Sequence, residues 1–178
     1  ITSPGTFDPC NQWKVTGKGQ TAHVDHANVL YQIPQKADKA PIIFLHGYGQ
    51  SRMGWMTTPD GREGWSDMFL RNGHSVFLVD EPRRGEAGAT SVSGDISTKT
   101  LEQRWYTQFR IGKWENGKSV PNEGSQFANS DEAVDQFFRQ MTPDTGMKSD
   151  MGIDFDGEMV AKALAATVDK VYGMTGKK

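Results

Sequence analysis

Residues 40–58 read Ala-Pro-Ile-Ile-Phe-Leu-His-Gly-Tyr-Gly-Gln-Ser-Arg-Met-Gly-Trp-Met-Thr-Thr. The run from Pro41 to Leu45 is continuously apolar and carries β-branched and aromatic side chains, which predicts a strand buried on both faces, as in a parallel sheet. It runs into His46-Gly47-Tyr48-Gly49, where two glycines let the backbone bend sharply and approach a ligand closely. A reaction through a tetrahedral intermediate needs backbone N–H groups aimed at the oxygen that becomes negative. A Gly-rich turn leading toward a helix supplies them without side-chain obstruction. Tyr48 is the first candidate donor and Gly49 the second, with Gly47 allowing the bend. His46 is expected to support the loop by hydrogen bonding and not to act as a general base. The plainer reading of the same four residues is a tight strand-to-helix turn.

Outward from this stretch, Ser75 to Val79 (Ser-Val-Phe-Leu-Val) is a second run of buried-strand character. Between the two, Trp65 to Asn72 places Trp65, Met68 and Phe69 at helical spacing, with Gly73 positioned to stop the helix. A strand, helix, strand unit of this kind pairs its strands in parallel, so the fold class is α/β. Upstream, 13–22 and 27–33 read as two short strands forming an antiparallel pair. Downstream, a helix is expected from about Phe155 to Tyr172, because Met159, Val160, Ala163, Leu164, Thr167, Val168 and Val171 recur at helical spacing, with Gly173 ending it.

The segment 86–150 differs in character, being dense in Gly, Ser, Thr and Asn with no recognisable buried strand. It reads as a cap or lid inserted between core elements, leaving 1–85 and 151–178 as the core. Two helices stand out within it. Leu101, Trp105 and Phe109 recur every four residues, and Ser130 is placed as the N-cap of a helix whose apolar face is Ala133, Val134, Phe137, Phe138 and Met141, ended by Pro143. These aromatics are expected to pack onto the main sheet, the other reading being an apolar wall over a substrate cleft.

Composition excludes several classes. The 178 residues, 35 % hydrophobic and 24 % charged, fit one globular domain, and a mean hydropathy of −0.63 marks a modest core. No window approaches the roughly 20 apolar residues of a membrane span, so no membrane partner is expected. With 20 basic and 22 acidic residues and no Lys/Arg run, nucleic acid is not an expected partner either. Cys10 is the only cysteine, which leaves an unpaired thiol or a bridge to another segment. The chain starts at Ile1, consistent with processing such as signal-peptide removal, and a periplasmic or secreted location is favoured.

Phe44-Leu45-His46-Gly47-Tyr48-Gly49, then Gly54-Trp55, Thr57-Thr58-Pro59-Asp60-Gly61-Arg62, Gly64-Trp65, Phe69-Leu70-Arg71, Val79-Asp80 and Arg84-Gly85 together resemble the α/β-hydrolase fold. More narrowly, residues 40 to 86 are similar to a small group of bacterial esterases typified by esterase 713. The resemblance implies the N-terminal part of an α/β-hydrolase sheet, antiparallel first strands followed by parallel strands with crossover helices, plus a cap insertion. It also implies a serine esterase with nucleophile, acid and histidine in that chain order. Asp80 falls where such hydrolases keep a structural aspartate. The group's paired cysteines after His-Gly are Tyr48 and Gly49 here, and the loop after Asp80 reads Glu-Pro-Arg-Arg-Gly where the group is richer in glycine.

No Gly-x-Ser-x-Gly occurs in the chain. Ser51 lacks the second glycine and reads as the N-cap of the next helix. His23 and His26 lie at a spacing that does not place two rings on one strand face, so no metal site is expected there, and no cofactor is called for. His74 reads as a surface residue.

The expected function is therefore the N-terminal portion of a serine carboxylic-ester hydrolase acting on a small ester. The Gly-x-Ser-x-Gly elbow and catalytic histidine would come from a C-terminal segment or second polypeptide, and the assembled enzyme could form a homodimer. Alone, the chain is expected to be inactive and poorly stable, with Val76 to Val79 left as an exposed apolar sheet edge. The alternative is a non-catalytic hydrolase-like domain that binds a ligand or partner. Amide or lactone hydrolysis on the same fold is a third reading.

Overall fold

A computed structural model describes residues 22–58, 61–91, 101–128, 130–143, 145 and 153–177, with only the backbone described for 153–156. Among these residues the main sheet has three strands, β1 (Asn28–Gln32), β2 (Ile42–Leu45) and β3 (Val76–Asp80), in the order β1-β3-β2. β2 lies parallel to β3, with Ile42 opposite Val76 and Leu45 opposite Val79. β1 is antiparallel to β3, with Asn28 opposite Asp80 and Gln32 opposite Val76. Among the described residues the antiparallel partner of β1 is β3. The other upstream run, 13–22, lies almost wholly outside the described residues, as does Cys10.

The expectation of an exposed edge at Val76–Val79 fails. β3 is the central strand and all five of its residues are buried, because the crossover returns the chain between β1 and β2. Among the described residues β1 and β2 are the edge strands, and in the apolar β2 Ile42, Ile43 and Leu45 are only half-buried while Phe44 is buried.

Helices cover both faces of the sheet. After β2 come α1 (Met53–Met56) and α2 (Trp65–Arg71), and after β3 a 3-10 turn at Gly85–Ala87. Val76, Leu78 and Phe44 pack with Trp55, Met56, Phe69 and Leu70 on one face. On the other, Val29, Phe77 and Val79 meet Ala163 and Val171 of the long helix α5 (Ile153–Thr175), with Leu164 and Met174 beside them. Each Val, Leu, Ile, Phe or Met side chain among them taken fully out of water contributes about 1.5–3 kcal/mol before entropy is counted. α2 buries Ser66 and half-buries Phe69 and Leu70, so Trp65 and Met68, expected on its apolar face, are turned outward and exposed. Gly73 stops α2 as expected, with φ at +84° and its N–H on Leu70 C=O. Gly173 does not stop α5. That helix continues through it to Thr175, and the terminating residue is Gly176, at φ +65°.

Between β3 and α5 lie α3 (Glu102–Gln108), a hairpin of β4 (Gly112–Glu115) and β5 (Lys118–Pro121), and α4 (Asp131–Arg139). Ser130 is the N-cap of α4, its hydroxyl accepting the Ala133 N–H at 3.1 Å. The hairpin has no counterpart in the sequence reading. Its turn, Asn116-Gly117, has both residues at positive φ, as a type I′ turn requires. The aromatics here pack on one another and not on the sheet. Tyr106 meets Trp114 and Phe127, Trp114 meets Phe138, and Phe127 meets Phe137, at centroid distances of 5.6–6.2 Å.

Candidate active site

Because β2 and β3 are parallel, their carboxyl ends lie side by side, the place where open α/β sheets hold ligands. His46 follows one strand and Glu81 the other. The buried His46 ring accepts the Glu81 N–H at Nε2, 3.2 Å away. A backbone N–H can only donate, so the ring proton sits on Nδ1, which donates to the Gly47 carbonyl at 2.9 Å. Both ring nitrogens are therefore engaged within the protein.

The next residues form a tight turn. Gln50 N–H closes on Gly47 C=O at 3.2 Å, and Gly49 sits between them at φ +69°, with the Trp105 ring at van der Waals distance from where a Cβ would be. Gly49 C=O accepts the Thr142 N–H at 2.8 Å, tying the turn to the residues after α4. Tyr48 is exposed at the tip, its ring 5.7 Å from that of Trp105 in α3. Among the described residues, no protein acceptor takes the N–H of Tyr48 or Gly49.

Asp80, at the end of β3, is buried and holds the exit of this turn. Its Oδ1 accepts the Arg52 N–H at 2.8 Å and its Oδ2 the Glu86 N–H at 3.0 Å. The Arg52 guanidinium lies 3.7 Å from the same carboxylate, donates to Asn28 Oδ1 of β1 at 2.5 Å and pairs with Glu86. Arg52, not Ser51, is the N-cap residue of α1, although the Ser51 hydroxyl accepts the Met53 N–H at 3.4 Å.

The Glu81-Pro82-Arg83-Arg84-Gly85 loop is anchored from behind. Arg83, at φ +68° and almost fully buried, donates from Nε to Asp25 Oδ1 at 2.8 Å. Asp25 also accepts the Ser91 N–H and is paired with the Ser91 hydroxyl. Burial alone would raise the Asp25 pKa. The Arg83 and Ser91 hydrogen bonds and the Arg83 charge outweigh it and hold the carboxyl below its ordinary value. The Arg83 carbonyl accepts from both the N–H and the hydroxyl of Thr145.

Beside the turn lies an open cleft of about 380 Å³, with Gln50, Ser51 and Met53 on one side and Gln136, Gln140 and Thr142 on the other. Thr57 to Arg62 forms its neighbouring loop, in which Thr58 N–H donates to Arg62 C=O at 3.0 Å and Arg62 N–H to the Thr58 hydroxyl at 2.9 Å. Pro59 and Asp60 lie outside the described residues. His23 and His26 meet edge to face, 6.4 Å between centroids, and among the described residues no three His, Cys, Asp or Glu converge on a metal position. His74 is half-buried, with its Nδ1 on Ala40 C=O at 2.8 Å.

The structure thus brings together His46, Gly47, Tyr48, Gly49 and Asp80, all singled out from the sequence. It adds Trp105, one of the aromatics read as packing on the sheet or walling a cleft, and Arg52, Thr142 and the Asp25–Arg83 pair, which had no signal along the chain, since their partners are tens of residues away.

No protein-family model matches the chain. A stretch of 76 residues is 46 % identical to a probable secreted lipase, phiG, of Fungal sp. (strain ATCC 74256); it amounts to 39 % of this chain and 21 % of the lipase. The fold matches that of a novel bacterial esterase solved at atomic resolution, with a TM-score of 0.63 and 24 % identity, over 96 % of this chain and 54 % of the esterase. The chain therefore spans about half the length of that structure, and its likeness to the lipase extends over about a fifth of the relative.

Proposed function

We propose that this chain, which has the mixed α/β fold of a bacterial esterase, is the N-terminal portion of a secreted or periplasmic serine carboxylic-ester hydrolase. The observation that carries the reading is the pair of uncommitted N–H groups on Tyr48 and Gly49, held at the carboxyl end of β2 by a fully bonded His46. Donors fixed before the reaction stabilise developing oxyanion charge without reorganising. The half-covered β2 edge supports the second part of the proposal, since a further strand added there would bring the nucleophile elbow beside the turn. That strand, its serine, the acid and the histidine come from a following segment or second polypeptide. The serine attacks the ester carbonyl, the histidine takes its proton and returns it to the leaving alcohol, and the Tyr48 N–H holds the oxygen. The 86–150 insertion acts as the cap, with Trp105 over the turn and α4 along the cleft.

Tyr48→Pro tests this in the completed enzyme, made from this chain and the segment that follows. Proline suits the second position of a turn with Gly third, so the variant deletes the N–H while keeping the bend. The expected result is a kcat lower by about 100- to 1000-fold than in Tyr48→Ala, with KM little changed. Equal kcat in the two variants would assign the oxyanion elsewhere. If no serine in the completed protein reacts with a fluorophosphonate, the esterase reading fails and the non-catalytic ligand-binding alternative replaces it.

A further inference from the structure

We infer that the buried Asp25–Arg83 ion pair is a positioning device for the Tyr48–Gly49 turn, an inference that takes its catalytic meaning from the esterase reading. Both residues are almost fully buried and both have left-handed backbone, Asp25 at φ +56° and Arg83 at φ +68°. Non-glycine residues adopt that conformation at a cost, and it persists where surrounding contacts over-determine it. Here they do so on every side. Asp25 N–H donates to Ala89 C=O at 2.9 Å, Arg83 N–H to Ala87 C=O at 2.8 Å, and Thr145 N–H to Arg83 C=O at 3.0 Å. The Asp25 carboxylate receives both Arg83 Nε and the Ser91 N–H.

What this anchor holds is the loop between Asp80 and Glu86. Two residues before Arg83, the Glu81 N–H sets the His46 ring, and His46 Nδ1–H in turn sets the Gly47 carbonyl that closes the turn through Gln50 N–H. Three residues after Arg83, the Glu86 N–H holds Asp80, whose other oxygen takes the Arg52 N–H at the exit of the turn. The Glu81–Glu86 loop thus touches the oxyanion turn at its entrance and its exit, and its far side is fixed by one buried charge pair. A carboxylate and guanidinium suit that task because breaking a buried ion pair is strongly unfavourable, and movement of the loop relieves the cost. Asp25 and Arg83 touch no reacting atom in this scheme and act through His46 and Asp80.

The test reads amide hydrogen exchange on this chain and kinetics on the completed enzyme, comparing Asp25→Asn, Arg83→Lys and the milder Ser91→Ala. Positioning predicts that in Asp25→Asn exchange across residues 46–52 and 81–88 is accelerated at least tenfold more than in α5, with a smaller differential in the same segments for Arg83→Lys, which keeps the charge. In the enzyme it predicts a kcat loss of tenfold or more at unaltered KM, partly restored in Arg83→Lys relative to Arg83→Met. Faster exchange spread evenly over α5 and the turn, or an unchanged turn in a folded variant, would overturn the inference. Should Asp25→Asn not fold, Ser91→Ala decides by the same criterion. Because exchange is measured on the chain alone, a wild-type enzyme that hydrolyses no ester would sink the esterase reading and leave the positioning test standing.

Discussion

Asp80 uses both carboxylate oxygens on backbone N–H groups, and the space it occupies leaves no room for a side chain at residue 85. A Cβ at Gly85 would fall 2.6–2.7 Å from three atoms of that carboxyl group, at a backbone φ of +52°. Left-handed strain and overpacking act together there. Gly85→Ala is expected to destabilise the chain by about 2–4 kcal/mol, read by denaturant unfolding, and to lower kcat in the completed enzyme. The glycine stands where the resemblance to hydrolases already placed an Arg-Gly pair after the structural aspartate, but its reason is visible only with the carboxylate beside it. His46 is the opposite case. Its place before the glycines suggests a loop-supporting residue, and its ring bonds the Gly47 carbonyl and the Glu81 N–H.

Elements announced themselves to the degree that their signals are local. Ser130 with Asp131 and Glu132 behind it marks an N-terminus, and the structure has the capping hydroxyl on Ala133 N–H. Ser130→Ala should cost about 1 kcal/mol and selectively increase amide exchange in the first turn of α4, which hydrogen exchange would register without unfolding the sheet. The β4–β5 hairpin carries a local signal too, Asn116-Gly117, which the density of Gly, Ser and Asn around it obscured. Gly173 misled because glycine ends helices so often. In α5 the packing of Val171 and Met174 against the sheet carries the helix past it to Gly176. Packing over an apolar face outweighs the roughly 1 kcal/mol a helical glycine costs.

For the whole molecule, the buried Asp25–Arg83 pair makes stability depend on pH in a defined direction. The Asp25 carboxyl is held below its ordinary value of 3.8, so its contribution is present above that pH and is lost as pH falls through the lower folded-state value. Chemical denaturation from pH 5 downward should therefore show stability declining below pH 3.8, with a shallower decline in Asp25→Asn. At neutral pH the same variant should be weaker by about 3–5 kcal/mol, because the buried Arg83 loses the Asp25 counter-charge. Comparable pH slopes for the two proteins would remove Asp25 as the source.

Taken alone, the amino-acid order determined the α/β class, the parallel pairing of the two apolar strands, the helix between them and the glycine turn that follows the first. Each rests on side-chain periodicity, strand composition or turn chemistry within a few residues. Only the tertiary structure decided that β3 lies between β1 and β2, that the aromatics of α3, α4 and the hairpin pack on each other, and that Arg83 meets Asp25. Strand order and the pairing of buried charges depend on which distant segments share the space around the sheet. Asp25 and Arg83 are 58 residues apart, and no pattern along the chain records the contact that makes burying them tolerable.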